Sequence, residues 1–391
     1  MNSQVSRRKF LGKTVTAAAV LTVLPNYALG NMLVQLAPHD YKHMLSNNDR
    51  VLLINSLFPN NIPDLWCPPI VHYDENGAID KNRTEAHLSN ISQYVKTFLL
   101  FGSTGDGWEL TDSEKIDLLE IMIHLADKYR FQILLGMLKP DRGASLKGIK
   151  EIMAYLQEKF NGINELDSLI QAHVCGFTVC PPKGYNISQV EMLNDLSDIL
   201  SLNLPTALYQ LPQVTENEMD PETVRILAEK YPNFYLFKDT SGNDSVIQSK
   251  VDLGGVFTVR GAEGNYDKWV YNSEGGYNGF LLGSANCFAK EIKEVLNYCK
   301  MSNYTEAKAL SNRIASVVEE VMANVSDIPS GNAFANANKC IDHIRAFGTD
   351  WSEFPMPMMH SGNRIPLKYV ANALESMKKN SIGIEMGYLK Q

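Results

Sequence analysis

The chain has 391 residues, 45% of them apolar and 20% charged, with a formal net charge of −8. That is ordinary globular composition, in a chain long enough to bury a large core without cross-links. An acidic surface repels phosphate backbones and anionic membranes, and no basic stripe offsets it, so nucleic acid is not expected as a partner.

Residues 1–30 read as a twin-arginine-type signal peptide. Arg7-Arg8 precede a short apolar run from Val15 to Leu24, and Ala28-Leu29-Gly30 supply small residues at cleavage spacing. The run falls short of the roughly 20 residues needed to span a bilayer. Export to the periplasm is the expectation, and a retained N-terminal anchor is the alternative. Cleavage would remove Arg7, Arg8, Lys9 and Lys13, moving the net charge from −8 to −12.

Residues 31–64 are polar and Asn-rich and read as an N-terminal extension. Residues 65–288 then alternate apolar runs with amphipathic stretches, the signature of parallel strands joined by helices. The runs are Trp66–His72, Thr97–Phe101, Gln132–Met137, Gly176–Cys180, Thr206–Leu211, Phe234–Lys238, Val256–Arg260 and Tyr277–Leu282. They are apolar throughout, as strands buried on both faces should be. Between them, Asp112–Tyr129 has helical spacing with a capping box at Thr111 and Glu114, and Asp220-Pro221 opens a helix to Lys230. Asn161–His173 reads as a local insertion. Eight such units predict an α/β fold, a (β/α)₈ TIM barrel. An open doubly wound sheet would want a Gly-x-Gly-x-x-Gly turn, and none is present. Residues 289–391 read as a C-terminal helical region packed on the barrel, with helices over Ala289–Lys300, Tyr304–Ala323, Ala335–Phe347 and Leu367–Lys379.

The six cysteines, Cys67, Cys175, Cys180, Cys287, Cys299 and Cys340, show no zinc spacing and read as small buried hydrophobes. Chemistry is expected where barrel strands end. Lys238 closes the uncharged run Phe234-Tyr235-Leu236-Phe237, and alternation puts it on the face of Leu236 and Phe234. A lysine facing the lumen is desolvated, which lowers its pKa and frees a nucleophilic amine; pairing with an acid or snorkelling to water is the alternative. Tyr209 ends the fifth run as either a proton donor or a hydrogen-bonded core phenol. Ser103-Thr104, between glycines at a turn opening a helix, suits either a carboxylate or a plain cap.

In chain order, three segments together resemble the dihydrodipicolinate synthase/N-acetylneuraminate lyase superfamily: Gly102-Ser103-Thr104-Gly105-Asp106 with Leu110-Thr111, Tyr209-x-x-Pro212-x-x-Thr215, and Lys238-Asp239-x-Ser241-Gly242. Pro68-Pro69 and Asp74-x-x-Gly77-x-x-Asp80 add to the likeness, which covers about residues 65–385. The resemblance implies that Lys238 forms a Schiff base with pyruvate or a related 2-keto acid. By the same likeness Tyr209 relays protons, Ser103 and Thr104 hold the carboxylate, and Glu263 contacts sugar hydroxyls. Gly279–Asn286 matches the eighth strand and its exit and brings Leu281 to the substrate. Neither metal nor cofactor is expected, and a homo-oligomer, dimer or tetramer, is.

The departures bear on substrate. Lys183-Gly184 stand where the synthase branch has two tyrosines, so Tyr185 is the phenol expected to act there, in its own site or a neighbouring subunit's. Val214 replaces an arginine that binds a second carboxylate, and Gly264 replaces an acid of the sialic acid lyases. The expected reaction is cleavage of a 2-keto-3-deoxy sugar acid or sialic acid to pyruvate and an aldehyde. Dehydration of a sugar acid through the same imine and non-catalytic keto-acid binding are the alternatives.

Overall fold

The computed structural model describes residues 38–139, 141–161, 164–273, 275–384 and 386–390. The stretch read as an export signal therefore lies outside the described residues, as do residues 31–37 of the extension. Among the described residues, no helix is long and apolar enough to cross a membrane.

Eight strands form one sheet: β1 (Leu65–Trp66), β2 (Thr97–Leu100), β3 (Gln132–Gly136), β4 (Val174–Val179), β5 (Thr206–Gln210), β6 (Phe234–Asp239), β7 (Phe257–Arg260) and β8 (Gly279–Leu281). All are parallel, in the order β1-β8-β7-β6-β5-β4-β3-β2. A bridge between Cys67 and Phe98, with Cys67 N donating to Thr97 O at 3.2 Å, joins β1 to β2 and closes the barrel. Every expected strand is present, but β1 is far shorter than the run Trp66–His72. Pro68 and Pro69 follow it, and a proline has no N–H to give to a ladder.

The helices are α1 (Pro38–Leu57), α2 (Lys81–Ile91), α3 (Asp112–Tyr129), α4 (Ala144–Lys159), α5 (Glu165–Gln171), α6 (Gln189–Leu200), α7 (Pro221–Lys230), α8 (Ala285–Lys300), α9 (Tyr304–Val325), α10 (Ala333–Phe347) and α11 (Leu367–Lys379). Both halves of the capping box at Thr111 and Glu114 form, starting α3 where the sequence puts it. The outer ring is thinner than eight strand–helix units imply. One turn, Ser245–Gln248, follows β6, and no helix is described between β7 and β8, where Gly261, Gly264, Gly275 and Gly276 disfavour one. The insertion Asn161–His173 contains α5.

The N-terminal extension holds a 20-residue helix that its polarity conceals. Arg50 of α1 is wholly buried. Its Nε donates to Phe234 O at 2.8 Å and Nη2 to Tyr231 O at 3.1 Å, with further bonds to the carbonyls of Ala228 and Gly254. Four carbonyls thus replace the water that the guanidinium gives up. Leu57 and Phe58 then seat against Trp66, Leu99, Leu134, Ala207, Leu236, Val259 and Leu281, the apolar filling of the lumen.

One element of the alternation argument is corrected. The ladder between β5 and β6 slips between Thr206 and Ala207, which pair with Phe234 and Leu236 and leave Tyr235 extra. Tyr235 and Leu236 both join the lumen cluster, whereas Phe234 and Phe237 belong to the outer layer. Lys238 therefore shares its face with Leu236 and not with Phe234. A bulge resets the period of two.

Candidate active site

The strand ends converge on one cavity of about 260 Å³ at the C-terminal mouth of the barrel. Ser103, Thr104, Tyr209, Lys238, Glu263 and Leu281 all line it. Tyr185 does not.

Lys238 and Tyr209 are cross-strand partners at the ends of β6 and β5. Lys238 is 4% exposed, and its Nζ sits 3.9 Å from the centroid of the Tyr209 ring. Burial, which strips water from the ammonium, draws the Lys238 pKa from 10.5 down to about 7 against a smaller upward pull from Cys180, Glu263 and Cys67. Far more of the amine is then neutral at neutral pH than for a solvated lysine. Burial also raises the Tyr209 phenol, with Thr240 pulling the other way, so at rest it holds its proton. The lysine side chain needs space: a Cβ at Gly261 would lie 2.9 Å from Lys238 Cε and 2.3 Å from Thr240 Cγ2. Asp239 points away from the lumen and fixes the following turn, accepting from Ser241 N at 2.8 Å and from the Tyr277 hydroxyl at 3.1 Å.

The Ser-Thr turn is a three-residue 3₁₀ turn, Ser103–Gly105, rather than the start of a helix; α3 begins only at Asp112. The helix-dipole part of the anion argument is therefore removed, and hydroxyls and turn N–H groups remain. The turn is packed too closely for side chains at its glycines. A Cβ at Gly105 would meet Pro69 O at 2.6 Å, and one at Gly107 would meet Phe101 O at 2.0 Å. Ser103 Oγ accepts from Trp108 Nε1 at 2.9 Å. Thr104 is buried and faces the cavity across Gly283, where a Cβ would stand 3.0 Å from its hydroxyl.

Glu263 is oriented by three donors: Ser284 N at 3.0 Å, Ser284 Oγ at 2.6 Å and the Tyr266 hydroxyl at 2.8 Å. Leu281 floors the cavity from the lumen cluster. Val214 packs on an apolar cluster of Leu138, Cys180, Tyr209 and Leu211, so no cation stands at that place.

Tyr185 requires a correction for its own site. It is 80% exposed and outside the cavity lining. The loop after β4 is tied sideways to the segment after β5. Gly184 N donates to Thr215 O at 2.8 Å, Asn217 Nδ2 donates to Pro182 O at 2.8 Å and to Gly184 O at 3.0 Å, and Lys183 pairs with Glu216 at 3.1 Å. These bonds leave Tyr185 facing outward.

The C-terminal helices contribute more than the expected packing. Met322 of α9 and Phe334 of α10 line the cavity, and Asn332, which caps α10, donates to Ser103 O at 2.9 Å. Lys339 of α10 pairs with Asp106 at 2.8 Å, both ends buried, and the Tyr73 hydroxyl donates to the same carboxylate at 3.0 Å. No local sequence pattern marks Asn332 or Lys339, since each reaches the turn from more than 220 positions away.

His72, His87 and Asp342 bring three ligand atoms within 4.8 Å of one another. Their chemistry does not suit a metal. The Asp342 carboxylate already accepts from His72 Nε2 at 3.0 Å, His87 Nδ1 at 2.9 Å and the Tyr388 hydroxyl at 2.8 Å, and it pairs with Arg83. A guanidinium on the oxygen a cation would take repels that cation. All six cysteines are buried and unpaired.

The chain matches the Dihydrodipicolinate synthetase family model over residues 170–336. A 4-hydroxy-tetrahydrodipicolinate synthase of Methanococcus maripaludis (strain C5) is 21% identical over 315 residues, covering 80% of this chain and 98% of that one. Among solved structures, a pyruvate-bound prophage protein of Escherichia coli K12 from the dihydrodipicolinic acid synthase family superposes with a TM-score of 0.61 at 17% identity, covering 82% and 99% of the two chains. A variant of the 2-keto-3-deoxygluconate aldolase of Sulfolobus solfataricus does so with 0.61 at 16% identity, covering 81% and 96%. At such identities the superpositions establish the shared fold.

Proposed function

We propose that this chain, a member of the dihydrodipicolinate synthase/N-acetylneuraminate lyase superfamily, is a Schiff-base-forming lyase cleaving a 2-keto-3-deoxy sugar acid or a sialic acid to pyruvate and an aldehyde. The carrying observation is a desolvated amine, Lys238 Nζ, 3.9 Å from the Tyr209 ring centroid in a cavity also lined by Thr104 and Glu263. In this reading neutral Nζ attacks C2 of the keto acid and water leaves, giving a protonated imine. Ser103 and Thr104 hold the carboxylate. The C4 hydroxyl loses its proton through Tyr209 as the C3–C4 bond breaks, and the electron pair flows into the imine as an enamine. Protonation at C3 and addition of one water return pyruvate and the free lysine, so water is consumed and released in equal number.

Val214 and the Lys183-Gly184 pair argue against the lysine-biosynthetic synthase reaction, because neither supplies the cation or the phenols expected there. We further propose that the protein is exported through its Arg7-Arg8 segment; changing both to lysine should then hold the precursor inside the cell, and export regardless would sink that route. The test of the chemistry is borohydride reduction with pyruvate. One adduct, mapped to the peptide containing Lys238, is expected. No adduct with any 2-keto acid, or one on a different lysine, overturns the reading.

A further inference from the structure

We infer that the aldehyde half of the substrate is uncharged and lays an apolar face against Phe334 and Met322, which makes Phe334 a specificity-determining residue. This rests on the lyase reading above and goes beyond it to the chemistry of the second product. Three observations carry it.

The first is charge. Lys238 is the only cation among the described residues lining the cavity, and its charge, kept in the protonated imine, is matched by the carboxylate of the pyruvate moiety. Nearby cations have their own acids: Lys339 pairs with Asp106, Arg260 with Asp244 and Lys183 with Glu216. Glu263 adds a negative charge to the wall. A second carboxylate would therefore meet an acid with no partner to offset it.

The second is how few polar groups are free. Thr240 Oγ1 donates to Gln210 O at 2.7 Å, Gln213 Nε2 donates to Thr240 O at 2.9 Å, and Ser241 Oγ accepts from the N–H groups of Asn243 and Asp244 at 3.2 Å. These rim side chains serve the turn after β6 before any ligand.

The third is the outer wall. Phe334 is 41% exposed at the start of α10 and also lines the cavity. With Met322 and Leu211 it offers an apolar platform that an alkyl, aryl or acyl face would cover.

The test runs the reaction towards synthesis with the full chain, pyruvate and three aldehydes: butyraldehyde, glyceraldehyde and succinic semialdehyde. Imine trapping with pyruvate alone is read in parallel. Glyceraldehyde and butyraldehyde, both uncharged, should each exceed succinic semialdehyde in kcat/KM by about tenfold or more. Phe334→Ala should raise KM for butyraldehyde by about tenfold, leave the pyruvate adduct yield and the melting curve unchanged, and be rescued by Phe334→Tyr. Succinic semialdehyde turning over as well as butyraldehyde, or a Phe334→Ala variant with unchanged KM for every aldehyde, overturns the inference while the trapped imine still stands. Absence of the adduct overturns the lyase reading and the inference with it.

Discussion

The exits of β5 and β6 and the exit of β4 make opposite use of similar sequence. Each strand is an apolar run, and each places a phenol or an amine within a few positions of the barrel mouth. At β5 and β6 the last ladder pairs, Tyr209 with Lys238 and Gln210 with Asp239, hold the two candidate catalytic side chains inside the sheet's own register. At β4 the ladder stops at Val179, and Tyr185 lies six residues on, in a loop whose bonds run sideways to Thr215 and Asn217. A side chain on the ladder takes its position from the whole barrel. One beyond it takes its position from contacts that no periodicity records.

The sharpest way to break this contrast is at Lys238. Lys238→Arg keeps a positive charge but removes a neutral nucleophile, because guanidinium does not deprotonate in proteins. Imine trapping should be abolished while the fold persists, as mass spectrometry and circular dichroism would report. In wild-type protein the initial rate of imine formation should rise with pH through about 7 and then level off, since only the neutral amine attacks and burial holds its pKa there. A midpoint near the ordinary lysine value would mean that the side chain is solvated in the working enzyme.

Next in size is Tyr209→Phe. If the phenol relays protons within a closed site, turnover should fall by about 10²–10⁴-fold while the pyruvate adduct on Lys238 still forms. Loss of both together would make Tyr209 a packing partner of the lysine and nothing more.

Thr104→Val sharpens the comparison on a third strand exit. The hydroxyl should be worth about 1.5–3 kcal/mol to a carboxylate, so keto-acid binding should weaken roughly tenfold or more. Unchanged affinity would reduce the 3₁₀ turn to a structural cap, held by Asn332 and by the buried Asp106–Lys339 pair.

These cases mark what sequence makes legible. The eight strands could be read because burial on both faces leaves continuous apolar runs, and α3 and α11 could be read to the residue because their spacing is local, with a capping box fixing the start of α3. The helix around Arg50 could not, since the carbonyls that satisfy the guanidinium lie 178 to 204 positions away. The bulge at Tyr235 was equally hidden, though it left the side of Lys238 unchanged. Within the site, motif residues at strand ends reached the cavity, whereas Phe334, Met322 and Asn332 arrive by tertiary packing and have no signature of their own.

The smallest expected effect is at Tyr185, and it tests the contrast most directly. The phenol is 80% exposed, and none of the hydrogen bonds that fix its loop involves it. Within one chain, Tyr185→Phe removes only a solvated hydroxyl, so kcat and KM should stay within about twofold of wild type. The assay belongs beside size-exclusion chromatography, because a second copy could bring its own Tyr185 to this cavity. A drop of tenfold or more in an assembled protein, absent in a dilute monomeric one, would move the phenol from the surface of one chain into the site of another. A drop that persists in the monomer would mean that the loop after β4 closes over the cavity during turnover, and the ladder would then not be the only source of position at this barrel mouth.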